Sequence, residues 1–307
     1  MFSFIAKKRN PVETNIITSS YDSADENINF RENIEELILK VKSALREDMD
    51  ENEENYDNKD AEVFIESSEF DYIERFLIKN DYDVTKTVSM MKKTLQWRKI
   101  SGLSQMSDTS FPDLFYRLGL VFIHKQDVDG DFVFYSRMRL KLKTHNEIEE
   151  RFKLFLFYHL FKVDQLAAKI ARKYIIVIDC TQTQLQNIDI ANMLWCLNVY
   201  INKYPAGLKY VIVYNLPWFA RAIFTATIKL LPEWFKSLIK RVEKDALFNY
   251  IPIENVPSYL NGHDVDDPRF IPENDCYGLK EFFHNVSETV LNKEVEHFEK
   301  LLASVWN

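Results

Sequence analysis

Apolar positions in the first hundred residues recur at helical spacing between polar stretches. Residues 1–27 lack this periodicity and predict a flexible leader. From residue 28 to residue 102, apolar side chains three and four positions apart predict a small helical module. Within this module, residues 47–62 hold nine acidic residues against one lysine, which favours a solvated linker between helices.

Between residues 103 and 263, strand and helix periods alternate, which predicts an α/β fold with a mixed or parallel sheet. An Asp-Val-Asp-Gly-Asp turn predicts a hairpin, since Gly130 can adopt a positive φ. Two later β-branched runs predict strands buried on both faces, and the helix between them has the length of a parallel crossover. The predicted strands lie at 120–124, 132–136, 174–179 and 210–214, and the predicted helices at 148–170 and 188–204.

The segment at residues 217–231 is apolar nearly all round its helical projection and carries only two charges, Arg221 and Lys229. A helix of this kind is ordinarily buried in a core. The alternative is a mobile lid that covers an apolar pocket when closed and contacts lipid when open. Interfacial helices combine Trp, Phe and Leu with a few basic residues in this way.

Basic residues near this segment could meet anionic lipid headgroups. Lys236 and Lys240 follow it closely. Arg137 and Arg139 alternate with apolar residues and predict a basic strand edge. That edge is either ordinarily solvated or part of the same membrane-facing rim.

Composition narrows the classes of function. Aromatic residues make up 14% of the 307, enough for a large apolar interior or cavity, and the 6 glycines are too few for a protein built on glycine-rich phosphate loops. A net charge of −8 argues against nucleic acid as a partner. The three scattered cysteines predict neither disulfides nor a zinc site, and no apolar run approaches the roughly 20 residues of a membrane span. We expect a cytoplasmic protein that associates with membranes peripherally.

No catalytic arrangement stands out. The sequence has no nucleophile elbow, Walker loop, dinucleotide fingerprint or zinc-protease motif. Asp179 and Cys180 end a predicted buried strand, where an aspartate ordinarily caps the next loop and a buried cysteine is ordinarily structural. We expect no enzymatic activity, no metal and no cofactor.

An ordered set of short motifs resembles the CRAL-TRIO family of lipid-binding and lipid-transfer proteins. Each motif is weak alone, but their order and spacing from about residue 65 to residue 263 are specific. The motifs are the helical segments at 73–77, 82–84 and 95–98, Asp-Val-Asp-Gly at 127–130, the strand at 175–179, Tyr-Pro at 204–205, Tyr-Asn-Leu-Pro at 214–217 and Val-Pro-Ser-Tyr-Leu-Asn-Gly at 256–262.

The resemblance implies a mixed or parallel sheet that floors an apolar pocket under a gate helix at 217–231. It also implies that the chain binds a phospholipid or another lipophilic ligand and carries or presents it at membranes. Members that bind phosphatidylinositol have a glutamate after the Tyr-Pro and a lysine beyond the gate, where this sequence has Ala206 and Leu238.

The residues expected to line the pocket and gate are Ile176, Ile178, Cys196, Tyr200, Ile212, Tyr214, Trp218, Phe219, Ile223, Phe224 and Ile228. Those expected to contact the headgroup or the membrane are Arg137, Arg139, Lys229, Lys236 and Lys240.

Other uses of the same fold stay open at this point. The domain could act as a non-catalytic scaffold for a protein partner, or as an adaptor that docks on a membrane without carrying lipid. A partner could bind the acidic segment at 47–62 or the C-terminal tail at 264–307, where apolar spacing from Leu279 onward predicts an amphipathic helix.

Overall fold

The computed structural model describes residues 23–67, 72–141, 143–272 and 276–305. The predicted leader lies outside these residues as far as position 22, and its remaining positions belong to the first helix. The α-helices are α1 (Ser23–Glu51), α2 (Asn58–Ala61), α3 (Tyr72–Lys79), α4 (Val84–Ser101), α5 (Asp113–Leu118), α6 (Asn146–Lys169), α7 (Ile190–Lys203), α8 (Arg221–Lys229), α9 (Glu233–Leu238), α10 (Leu279–Phe282) and α11 (Glu288–Val305). The strands are β1 (Val121–Gln126), β2 (Phe132–Arg137), β3 (Tyr174–Asp179), β4 (Leu208–Tyr214) and β5 (Ile239–Val242).

Helices α1, α3 and α4 pack into a small core of their own, with Leu45, Phe76 and Met91 completely or almost completely buried. The acidic segment at 47–62 is largely exposed, as expected of a solvated segment, but it forms helical turns and has two buried residues, Tyr56 and Asp60. Its Asp60 is 3% exposed and accepts a hydrogen bond from Arg98 Nε at 2.9 Å. The number of charges along a chain does not show which carboxylates pair with a buried cation. In this segment the Asp60 carboxylate forms such a pair and anchors the segment.

The five strands form one sheet in the order β1-β2-β3-β4-β5. The β1–β2 hairpin is antiparallel and the other three pairs are parallel. This confirms the predicted α/β class, the hairpin and the parallel crossover through α7. Strand β5 was not predicted, because the sequence pattern identified Lys240 only as a basic residue beyond the gate.

Side chains on the two faces of the sheet enter different cores. On the face covered by α5, α6 and α11, called here the helical face, Phe134, Tyr174 and Val211 join the largest core. On the other face, called the opposite face, Ile175 and Ile212 join a second core that the short 3₁₀ turns after β5 complete. The alternation of neighbouring residues between faces decides which side chains can reach a site on either side.

One extra residue in β4 sets this alternation. Tyr174 pairs with Leu208, but Ile175 pairs with Tyr210, so Lys209 is inserted as a bulge. Its Nζ donates to carboxylates of all three aspartates in the β1–β2 turn, at 2.7 Å to Asp127, 2.6 Å to Asp129 and 2.8 Å to Asp131. These contacts, which oppose the effect of burial, raise the pKa of Lys209. The ammonium thus fastens the bulge to the hairpin.

An ion pair docks the helical module on the sheet. Arg75 of α3 donates to the fully buried Asp164 of α6 at 2.9 Å and to the carbonyl of Arg172 at 2.7 Å. Burial raises the pKa of Asp164 to about 6, although the charge of Arg75 opposes that rise. Gly207 is required beside this pair, because a Cβ there would lie 2.2 Å from the Asp164 carboxylate.

The C-terminal helix α11 packs on the domain. Leu291 and Phe298 are buried in the largest core, and the ring of Phe298 lies 5.8 Å from that of Phe152 on α6. The Glu294 carboxylate accepts a hydrogen bond from the His145 backbone N–H at 2.8 Å, just before α6 begins. Part of the apolar face of this helix is therefore covered by the chain itself.

Replacing Lys209 should destabilise the fold. In a Lys209→Met variant, three neighbouring carboxylates would lose the ammonium that pairs with all of them, and breaking such a partly buried arrangement costs about 3 kcal/mol. Urea unfolding should show this loss, whereas Lys173→Met, which removes an exposed lysine nearby, should unfold like the wild type. Equal stability of Lys209→Met and wild type would contradict the anchoring role of Lys209.

A matched pair of substitutions tests the assignment of faces. Ile178→Thr on the half-buried helical face should cost about 1 kcal/mol, whereas Ile212→Thr on the fully buried opposite face should cost about 3 kcal/mol, because it leaves a cavity and buries a hydroxyl. Thermal unfolding followed by circular dichroism measures both. If the two variants lose equal stability, the two faces do not differ as described.

Candidate functional site

The helical face of β3 is partly open to solvent. β3 lies in the middle of the sheet, between β2 and β4. Side chains of such a strand are ordinarily buried on both faces. Ile175 and Val177 follow this rule and are fully buried, but Ile176 and Ile178 on the helical face are only half-buried. The partial exposure of two inner isoleucines indicates an apolar cleft above the sheet.

Helix α7 supplies residues beside this cleft. Cys196 is half-buried against the same core as Ile176 and Ile178, and burial raises the pKa of its thiol to about 11. Tyr200, one turn later, is buried and shares a hydrogen bond between its hydroxyl and that of Tyr174. The thiol is thus a neutral apolar group, and the two tyrosine hydroxyls are buried against each other.

The gate segment predicted at 217–231 forms a 3₁₀ turn, Trp218–Ala220, followed by α8. Phe219 and Phe224 pack against the largest core, while Ile223 and Ile228 are half-buried. Within α8 only Thr227 is buried. The interpretation of this segment as a fully buried core helix is therefore wrong, and the helix lies at the surface.

Two exposed side chains flank α8. Trp218 is 81% exposed and Leu230 is 69% exposed. Lys229 beside Leu230 is exposed as well. Large apolar side chains at the two ends of a surface helix, next to a cation, are the arrangement found in helices that lie in a membrane interface.

Two of the expected pocket residues lie elsewhere. Ile212 and Tyr214 belong to the core on the opposite face and are 0% and 2% exposed. The residues of β4 that share the helical face with Ile178 are Val211 and Val213. The apolar run at 210–214 does not reveal which alternate residues face the pocket, because the bulge at Lys209 decides it.

The prediction that Arg137 lies at an accessible basic edge is also wrong. It ends β2, pairs in register with Asp179 and is 1% exposed, so it is neither part of a solvated edge nor available to a headgroup at the surface. Its guanidinium carbon lies 4.1 Å from the ring centroid of Tyr259, and burial lowers the pKa of Arg137. A basic residue that alternates with apolar ones can therefore also be an inward-facing side chain stacked on an aromatic ring.

The other expected headgroup residues have protein partners, except one. Arg139 is half-buried and donates to a glutamine side chain. Lys236 pairs with Glu233 at 2.7 Å, and Lys240 lies 3.4 Å from the Ser237 carbonyl. Among the five, only Lys229 is an exposed cation for which the described part of the chain shows no ion pair.

The two strand-end residues considered for chemistry are structural. Asp179 accepts a hydrogen bond from the backbone N–H of Thr181 at 2.9 Å and so caps the following loop. Cys180 is buried, and burial raises the pKa of its thiol to about 12. A thiol with so high a pKa is a poor nucleophile at neutral pH.

A second cleft, of about 940 Å³, was not predicted. It separates the α3–α4 region of the helical module from the end of α7, the loop at 204–208 and α9. Ala206 and Leu238 both line it, although they are far apart in sequence. Lys79 and Trp234 meet in its wall, with the Lys79 Nζ 3.7 Å from the centre of the indole ring. Nothing in the sequence brings these last two together, since the contact depends on how the module docks.

Comparison with known proteins agrees with this architecture. Residues 116–262 match the model of a family described as the CRAL/TRIO domain. The crystal structure of Sfh5 is similar to this chain with a TM-score of 0.57 at 13% sequence identity, over 86% of this chain and 97% of that one. The structural likeness shows a shared fold that extends beyond the family match on both sides. Residues 116–262 are thus the part of the chain that matches the CRAL/TRIO domain family, and the similarity to Sfh5 shows the shared fold.

Proposed function

We propose that this chain binds the hydrocarbon part of a lipid in the cleft over β3, under α8, and carries or presents that lipid at a membrane. The observation that supports this most directly is the partial exposure of Ile176 and Ile178 in the middle strand of the sheet. The match of residues 116–262 to the CRAL/TRIO domain family supports lipid binding in general. The half-buried isoleucines of β3 suggest a place for the ligand in this chain.

The energetics of a lipid chain explain why such a cleft is useful. Moving a 16-carbon chain into water costs about 12 kcal/mol, at about 0.8 kcal/mol for each CH₂ group. A protein that encloses the chain removes most of this barrier to transfer. Loading requires α8 to move aside at a membrane, so the helix must be stable in two positions. Its sparse burial, with Thr227 alone buried within it, is compatible with such movement.

The membrane would contact the surface around α8. Trp218 and Leu230 are the exposed apolar groups there, and Lys229 would face anionic headgroups. No helix in the described parts of the chain is long and apolar enough to cross a bilayer. Membrane contact in this proposal is therefore peripheral, through the gate.

We infer that the segment at 213–218, together with Pro232 after the gate, is similar to the CRAL-TRIO domain of motile sperm domain-containing protein 2. The tethering function of that protein is not part of the proposal. The apolar side chains of Ala206 and Leu238 argue against a phosphatidylinositol-type headgroup site at those two positions.

The alternative function is a scaffold or adaptor that uses the same fold without carrying lipid. Its support is an open groove of about 540 Å³ on the helical module, whose lining includes three acidic residues, Glu53, Glu54 and Asp57, and two lysines, Lys59 and Lys99. A protein partner with basic residues could bind there. The two functions differ in whether the cleft over β3 holds a ligand.

Mass spectrometry of lipids extracted from the protein purified from eukaryotic cells tests the carrier function. We expect one lipid or isoprenoid molecule per chain, which would also identify the ligand class. Extraction from an Ile178→Trp variant, in which a larger side chain fills the cleft, should recover much less. A folded protein that carries no lipid would instead favour the scaffold or adaptor.

Substitutions on the gate test membrane docking. Trp218→Asp and Ile228→Asp should each weaken binding to liposomes about tenfold or more, since each removes an apolar side chain worth about 1.5–3 kcal/mol when buried. Flotation assays with vesicles measure the effect. Leu39→Asp, at an exposed leucine on α1, is the matched control and should bind normally. Binding of both gate variants at the wild-type level, with unchanged melting temperatures, would exclude α8 as the docking element.

A further inference from the structure

We propose that the outer edge of strand β5, at residues 239–243, binds an extended acidic segment of a partner protein, which joins the sheet there as an additional strand. In recognition of this kind, main-chain hydrogen bonds supply affinity and side chains supply specificity. The edge is a protein-interaction surface, and it does not require that a lipid be bound in the cleft over β3.

Strand β5 lies at one edge of the sheet. It is last in the strand order, and in the described residues only β4 pairs with it. The other edge strand, β1, has the segment at 255–264 beside it, since the Asn255 side chain donates to the Gln126 carbonyl at 2.9 Å and His124 lies 2.7 Å from Asp264. An uncovered edge presents backbone N–H and C=O groups that can pair with another chain.

The hydrogen bonds between β4 and β5 show which backbone groups of β5 point outward. The Val242 carbonyl accepts from the N–H of Asn215, the residue after β4, at 2.9 Å, so the backbone groups of Val242 face β4. Backbone groups of successive strand residues point to opposite sides. Those of Ile239 and Arg241 therefore point away from β4, and so do those of Glu243, which continues the extended backbone.

Four of the outward groups have no partner in the described part of the chain. The Ile239 N–H donates to the Lys236 carbonyl, and the Glu243 carbonyl accepts from the Ala246 N–H at 3.2 Å. The Ile239 carbonyl, both backbone groups of Arg241 and the Glu243 N–H remain. Arg241 and Glu243 are exposed. The edge thus offers acceptors and donors in alternation, as strand pairing requires.

Cations on both faces of this edge favour an acidic partner. Arg241 is in register with Val213 on the helical face, whereas Lys240 is in register with Ile212 on the opposite face. Lys244, just beyond the strand, is exposed. In the described residues, none of these three cations forms an ion pair with a carboxylate. A strand that carries carboxylates on both of its faces would pair with them.

The acidic residues of the same stretch do not cancel this positive charge. Glu243 pairs with Arg221, the first residue of α8, at 3.2 Å. Asp245 is the other carboxylate between residues 239 and 245, against three cations. The pair between Arg221 and Glu243 also places the edge beside the start of α8, so a bound partner would lie next to the gate segment.

The same cations disfavour pairing between two copies of this chain. Antiparallel pairing of two β5 strands would bring Lys240 and Arg241 of both copies together, and like charges opposite each other across strands are destabilising. Basic residues at an edge therefore protect a sheet against self-association. An acidic strand satisfies the backbone groups and the side chains together.

Fluorescence anisotropy with the full chain and three labelled peptides tests the edge. The probe is Thr-Val-Glu-Glu-Val-Glu-Glu-Thr. One control has lysine at each glutamate, and the other is the probe N-methylated at both valines, which keeps every charge. The valines stand three positions apart, so in either alignment one methyl group blocks a hydrogen bond to the edge. We expect the probe to bind at least about tenfold more tightly than either control.

Two substitutions at one position separate charge from strand pairing. Arg241→Gln removes the charge alone, whereas Arg241→Pro also removes an N–H that points away from β4, a place where an edge strand tolerates proline. The first should weaken binding of the probe about threefold and the second about thirtyfold or more. Lys280→Gln, at an exposed lysine on α10, is the matched control and should bind like the wild type.

Hydrogen exchange followed by mass spectrometry locates the bound probe, which should slow exchange at residues 239–243. If Arg241→Pro does not fold, as its melting temperature will show, the N-methylated peptide decides on the wild-type chain. A probe that does not bind, or that binds as tightly when N-methylated, would overturn the proposal.

The other occupants of the edge give distinct results, and each would also overturn the proposal. A wild-type dimer in sedimentation velocity that becomes monomeric in Arg241→Pro would identify a second copy of this chain. Binding to vesicles of phosphatidylserine and phosphatidylcholine that Arg241→Gln and Arg241→Pro weaken equally, with no binding of the probe, would identify a membrane surface.

Discussion

The bonds between Lys209 and the three aspartates of the β1–β2 turn fix the geometry on which the candidate site depends. They hold an extra residue in β4, and every side chain after it therefore points to the face opposite to the one it would otherwise occupy. With the bulge in place, Val211 and Val213 join Ile178 on the helical face, and Tyr214 is buried in the core on the opposite face. An electrostatic contact at one end of the sheet thus decides the lining of an apolar cleft at the other.

Helix α7 links the two clefts. Cys196 on its middle turns lies in the wall beside the half-buried isoleucines of β3, while Lys203 at its end lines the second cleft. The ion pair between Arg75 and Asp164 joins the helical module, which forms the other wall of that second cleft, to α6.

Much of the fold could be predicted from the sequence because local patterns carry it. The period of two in the strands, the period near 3.6 in the helices and the turn with Gly130 are properties of adjacent residues, and the structure has the corresponding elements. The Asp83 side chain, just before α4, is such a local feature, since it caps the helix by accepting from the Lys86 backbone N–H at 3.0 Å. The order of short motifs then indicated the family, and the family match over 116–262 confirms it.

The sequence by itself determined most of the helices and strands, the α/β class and the resemblance to the CRAL/TRIO domain family, since periodicity and short motifs can be recognised along the chain. The tertiary structure alone decided which side chains meet. Arg137 turns inward onto Tyr259, Asp60 is buried against Arg98, and Lys79 covers Trp234. Each of these pairs joins positions far apart in the chain, so no local period encodes it. A single inserted residue such as Lys209 also reverses the face of the sheet to which each later side chain of the strand points.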